Sequence, residues 1–154
     1  MLLLCLSYDV YGSMEQPSPY ATEEGVHEHF QRSKEWKEVA AEQKCAFIPS
    51  VSPGYNDLGI RPEAHHGPLS RLLSANAAEG SLFKTALQYG RRLVESQTGN
   101  VIMVNSFNEW HEDTQIEPAQ GVSTSLPETL THGIEYVGYG ELYLNILREE
   151  TTSV

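Results

Sequence analysis

The chain has 154 residues, enough for one domain with a substantial core, and sets 21 Asp and Glu against 10 Lys and Arg for a formal net charge of -11. So acidic a surface repels phosphate, which excludes nucleic acid as the main partner and a polybasic membrane contact, and leaves neutral polyhydroxylated ligands such as sugars open. The two cysteines, Cys5 and Cys45, each sit inside an apolar run and read as buried free thiols, so they do not decide the compartment.

Leu2 to Val10 is expected to be a buried strand. A core strand is expected here rather than a signal peptide, since the run lacks a basic start, a long apolar stretch and a small-residue cleavage site. A domain that opens on a buried strand reads as part of something longer. Residues 14–26 carry Pro17, Pro19 and Gly25 and form a loop. Helical periodicity follows over His27–Gln43, with Phe30, Trp36, Val39 and Ala40 on one face. Cys45–Val51 is the second strand, with Pro49 near its exit. A turn-rich stretch then runs to about Ala77, a length that suggests a loop that binds or covers something.

A second helix is expected from Gly80 to Ser96, stopped at Gly99-Asn100. Val101-Ile102-Met103-Val104 is a third strand, read as buried on both faces. Residues 119–135 are loop-like, and a last helix spans Glu141 to Glu149 before a frayed tail. No run approaches transmembrane length. Strands alternating with helices predict an α/β domain over residues 1–150 with a parallel sheet.

Each strand ends in residues of functional type. Tyr8, Asp9 and Tyr11 follow the first, and Tyr55, Asp57 and Arg61 the second. Asn108, Glu109, Trp110, His111 and Glu112 follow the third. Parallel strands put all three exits on one face, where α/β enzymes build their sites. A carboxylate pair among aromatics suits glycosidic-bond chemistry. Plainer readings stand beside this one. Glu109 and Glu112 could be solvated loop acids, Trp110 a buried anchor, the tyrosines caps of the sheet edge, and Arg61 a structural partner of Asp57. His65-His66 and His27-x-His29 have metal-like spacing but lie in a loop and at a helix start, so no metal is assigned. His111-Glu112-Asp113-Thr114-Gln115 opens like a zincin helix, yet Gln115 replaces the second histidine. Phosphate loops, dinucleotide fingerprints and nucleophile elbows are absent from the sequence.

The run Ser106-Phe107-Asn108-Glu109-Trp110-His111-Glu112, followed by Thr114-Gln115-Ile116-Glu117, resembles the signature of glycoside hydrolase family 99. That family includes endo-α-mannosidases and endo-α-mannanases. Phe47-Ile48-Pro49-Ser50-Val51, Pro53-Gly54-Tyr55, Asp57 and Ile60-Arg61-Pro62 resemble its other long motif. The resemblance implies a TIM-type barrel of eight β/α units, of which this chain would hold about the C-terminal half. It implies hydrolysis of α-linked sugars with retention and without metal or organic cofactor. Glu109 would deprotonate the sugar 2-hydroxyl to give a 1,2-anhydro intermediate, and Glu112 would be the general acid/base. Tyr8, Tyr11, Tyr55, Asp57, Arg61, Asn108, Trp110 and His111 would bind an oligo- or polysaccharide. A missing N-terminal half-barrel or a second copy would complete the cleft. The compartment would be secreted, periplasmic or Golgi-lumenal. Asp113 departs from the pattern, standing where the mannosidases usually have Gly. Two rival readings are a non-catalytic glycan-binding remnant and a polysaccharide-biosynthesis protein sharing the motif.

Overall fold

The computed structural model describes residues 3–6, 18–120 and 128–152. They form β1 (Leu3–Leu6), α1 (Glu23–Glu42), β2 (Cys45–Ile48), β3 (Ser50–Val51), α2 (Ser81–Gly90), β4 (Met103–Val104), α3 (Glu128–Thr131) and α4 (Leu142–Thr152), with 3-10 turns at Ser96–Thr98 and Trp110–Glu112. β1 pairs in parallel with β2, and β3 in parallel with β4. The expected strand Cys45–Val51 is therefore two short ladders divided at Pro49. Proline has no N–H to give a ladder, although the Pro49 carbonyl still accepts from the Met103 N–H at 2.9 Å. The result is α/β, three parallel strand regions alternating with helices.

Helix α1 starts where the Thr22 hydroxyl accepts from the Gly25 N–H at 3.1 Å, with Glu23 and Glu24 in the first turn against the positive helix end. Its buried stripe is Val26, His29, Phe30, Ser33 and Ala40. That stripe packs on Phe47 and Val51 and on Leu82, Phe83, Ala86 and Leu87 of α2. Trp36 and Val39, expected on the same face, are instead 66% and 58% exposed. They flank the stripe and, with Cys5 and Cys45, line a groove of about 510 Å³ beside β1. Burial also falls short at both outer strands. Leu4 is 55% exposed and Met103 45%, because among the described residues β1 and β4 each have one strand neighbour. Both cysteines are free and only half-buried.

The second helix ends at Gly90, short of the expected Ser96. A Cβ at Gly90 would stand 2.8 Å from Ile102 Cδ1 and 3.1 Å from Val51 Cγ1, so the helix end lies directly on the strands. Helix α4 runs past the expected fraying point to Thr152. Glu150 explains this: it is buried and accepts from Gln88 Nε2 at 3.1 Å, with Lys84 at 3.8 Å and Arg91 at 3.5 Å. Among the described residues, no helix is long and apolar enough to cross a membrane.

Two truncations check this core. Leu87→Ala removes a side chain left 1% exposed and should cost about 2–5 kcal/mol in urea unfolding. Val39→Ala should change stability by less than about 0.5 kcal/mol, which the expected apolar face would not allow.

Candidate active site

β3 and β4 run in parallel, so the chain leaves both at the same end of the sheet. The exit loop after β3 is folded on itself. Ser52 Oγ donates to the Gly54 carbonyl at 2.9 Å, and Tyr55 exchanges main-chain bonds with Leu69 at 3.0 and 2.7 Å. The exit loop after β4 closes around Ser106. Its N–H donates to the Thr114 carbonyl at 2.7 Å, its hydroxyl lies 2.9 Å from Thr114 Oγ1, and that hydroxyl accepts from the Glu109 N–H at 2.9 Å. A main-chain bond joins the two loops directly: the Asn56 N–H donates to the Glu112 carbonyl at 2.8 Å.

The two carboxylates lie at either end of the Trp110–Glu112 turn. Glu109 caps it, accepting from the His111 N–H at 3.1 Å and lying 3.3 Å from His111 Nδ1. Glu112 is more enclosed, with its side chain 22% exposed, and its Oε1 lies 3.4 Å from Arg61 Nη1. Arg61 is aimed by Asp57, whose Oδ2 accepts from Arg61 Nη1 at 2.6 Å and from the Tyr55 hydroxyl at 2.8 Å. Burial would raise the Asp57 carboxyl, but the bonds from Arg61 and Tyr55 outweigh it and hold the group below its ordinary range. Burial and the bond to Asp57 push the Tyr55 phenol up to about 12. His66 completes the group, with Nε2 at 3.5 Å from Asp57 Oδ1 and its ring tilted against Tyr55.

Next to this cluster, Trp110 is 49% exposed, so it is not a buried anchor. Its Nε1 donates to Glu117 Oε2 at 2.9 Å, which fixes the indole. Trp110, Ile60, Asn56, His111, Leu130 and Tyr136 line a pocket of about 380 Å³. Asn56 Nδ2 ties its floor by donating to the Tyr136 hydroxyl at 2.7 Å.

The structure thus gathers Tyr55, Asp57, Arg61 and Glu112 into one bonded cluster and sets Glu109, Trp110 and His111 on the adjoining turn. Asn108 is exposed at the start of that turn. Asp57, expected to bind substrate, has no exposed surface, and its carboxylate is bonded to Arg61. Tyr8 and Tyr11 lie outside the described residues.

Sequence reasoning missed Arg71. Arg71 is 5% exposed. It donates to Asp113 Oδ1 from Nε at 3.2 Å and from Nη2 at 2.9 Å, and from Nη2 to the Asp113 and Gln115 carbonyls, each at 3.0 Å. Burial works against its charge, but the Asp113 carboxylate more than offsets this and raises its pKa. Burial pushes the Asp113 carboxyl up, with Arg71 pulling the other way; two bonds from the guanidinium to one oxygen mark it as the anionic partner. Leu69-Ser70-Arg71-Leu72-Leu73, a lone cation among leucines, was the available signal. Among the described residues, no three His, Cys, Asp or Glu side chains converge to hold a metal.

The family model for glycosyl hydrolase family 99 matches residues 19–152. A mouse glycoprotein endo-alpha-1,2-mannosidase-like protein is 38% identical over 103 residues, covering 66% of this chain and 20% of the relative. Rat glycoprotein endo-alpha-1,2-mannosidase is 32% identical over 117 residues, covering 73% of this chain and 22% of the relative. The GH99 endo-alpha-mannosidase structure from Bacteroides thetaiotaomicron superposes with a TM-score of 0.51 at 29% identity, over 80% of this chain and 36% of that one. A glycoside hydrolase-like protein superposes with a TM-score of 0.61 at 23% identity, over 83% of this chain and 31% of that one, a likeness of fold alone. The chain spans about a fifth of the length of the curated relatives it matches. It belongs to glycosyl hydrolase family 99.

Proposed function

We propose that this chain carries the proton-transfer residues of a glycoside hydrolase that cleaves α-linked sugars with retention. The observation that supports it most is the contact of Arg61 with Glu112 across two exit loops that are themselves bonded together. It brings a carboxylate, an aimed cation and the adjoining Glu109 turn to one strand-exit edge, with a pocket beside Trp110.

In the proposed reaction Glu109 takes the proton of the sugar 2-hydroxyl as that oxygen bonds to the anomeric carbon. Glu112 gives its proton to the departing glycosidic oxygen, and a 1,2-anhydro sugar forms. Water then loses a proton to Glu112 and attacks the anomeric carbon as the bond from that carbon to O2 breaks, and Glu109 returns its proton to the released O2. Two inversions at one carbon give net retention. Asp57 contributes by holding Arg61 beside Glu112. The relatives named as mannosidases make an α-mannoside the first substrate to try. The larger barrel to which these β/α units would belong is part of this proposal. So is an oligo- or polysaccharide as the substrate.

A second reading has its own observation. Leu4 and Met103 stand exposed at the two outer strands, and a parallel sheet is ordinarily covered. On this reading the chain binds glycans without turnover, or works only when a second copy or further β/α units cover those edges and the Trp36 face.

Glu112→Gln and Glu109→Gln should each lower turnover of an aryl α-mannoside by about 10² to 10⁴-fold. A near-normal rate in either would sink the acid/base assignment. Calorimetry against manno-oligosaccharides, run beside the turnover assay, separates enzyme from binding remnant, for which heat without product is the mark. In analytical ultracentrifugation a second copy seated on the Trp36 face would give a dimer that Trp36→Glu returns to monomer. A monomer with full turnover would remove any need for completion.

A further inference from the structure

Asp113 follows Glu112 directly and has φ 51° and ψ 32°, the left-handed region. Glycine enters that region freely, and aspartate is among the few other residues that tolerate it. Here the aspartate also brings a carboxylate inward, to a side chain 14% exposed. Arg71, from a loop 42 residues earlier, meets it there with two bonds to Oδ1. The same guanidinium reaches the main-chain carbonyls of Asp113 and Gln115, on either side of fully buried Thr114.

Arg71 is itself held from several directions. Its guanidinium carbon lies 5.1 Å from the Tyr139 ring centroid and 4.8 Å from that of Tyr143. Tyr143 is completely buried and donates to Glu79 Oε1 at 2.5 Å. A Cβ at Gly54 would come 2.8 Å from Arg71 Cγ, so the β3 exit loop lies against the arginine stem. One side chain therefore ties together both exit loops and α4.

We propose that Arg71 and Asp113 form a positioning pair for Glu112, a charge pair that fixes the left-handed turn a glycine would otherwise supply. Arg71 touches neither Glu112 nor Glu109 through any bond described above, so its effect passes through the backbone that follows Glu112. The pair also brings no net charge to the site, since the buried cation arrives with its own anion. The inference rests on the reading of Glu112 as acid/base.

Arg71→Met alone would strand a buried carboxylate and is a poor test. The double variant Arg71→Met/Asp113→Gly removes the pair and leaves a residue suited to the turn. In amide hydrogen exchange, its Asn56 N–H, bonded to the Glu112 carbonyl, and its Thr114 N–H, bonded to the Glu109 carbonyl, should exchange at least about tenfold faster than wild type, with α1 amides unchanged. Should that variant not fold, Arg71→Lys takes its place. It keeps the charge but cannot offer a planar fork to a carboxylate and two carbonyls together, and the same local loss is expected. Unchanged protection at Asn56 and Thr114, a loss shared equally by α1, or, in the aryl α-mannoside assay, a raised KM with kcat unchanged in place of the lowered kcat that a misplaced Glu112 predicts, would overturn the pair's positioning role. The acid/base reading fails separately, through normal turnover by Glu112→Gln, which leaves the exchange result standing.

Discussion

Arg71 places a single cation where the β4 exit, the β3 exit and helix α4 converge, and it is 5% exposed. Removing one partner of a buried ion pair costs about 3–5 kcal/mol, because the other charge stays behind without solvation. An exposed pair such as Arg61–Glu112, with the arginine side chain 54% exposed, is worth about 0–1 kcal/mol. The two arginines therefore do different work. Arg71 holds the loops in place, and Arg61 presents charge to a carboxylate at a cleft with little effect on stability.

The sequence revealed the order of strands and helices because each has its own punctuation. Pro49, Gly99-Asn100 and the Pro/Gly-rich stretch after Val51 mark boundaries whatever surrounds them. The two carboxylates and Arg61 were legible for a related reason: they follow apolar runs, and parallel strands send such exits to one edge. Burial was less legible. Trp36 and Val39 satisfy helical periodicity as well as Phe30 and Ala40 do, and only the position of β2 and α2 decides which are covered. The same holds for Leu4 and Met103, whose apolar character shows that they suit an interior but not that an interior is present.

Long-range polar pairs were the hardest to see. Arg71 and Asp113 are 42 residues apart, and nothing local to either names the other. Asp57 looked like a ligand-facing acid from its place in a motif, yet the fold gives it no exposed surface and makes it the support for Arg61. Glu150 followed the same logic at the far end of the chain. A polar tail by composition, it becomes helical because α2 offers it Gln88, Lys84 and Arg91.

The break at Pro49 separates two kinds of cohesion. β1 is bonded to β2 upstream of the proline, and β4 to β3 downstream of it. No bond of one ladder is shared with the other, so their opening is not tied through a common strand register. Proteins open in such locally bonded units, each with its own free energy. The β1 edge, with its exposed Leu4, can therefore open without breaking a bond of the β3–β4 ladder, whose exit loop carries Glu109 and Glu112. Pro49 is the point where the exposed border of the sheet ends and the part that carries the candidate chemistry begins.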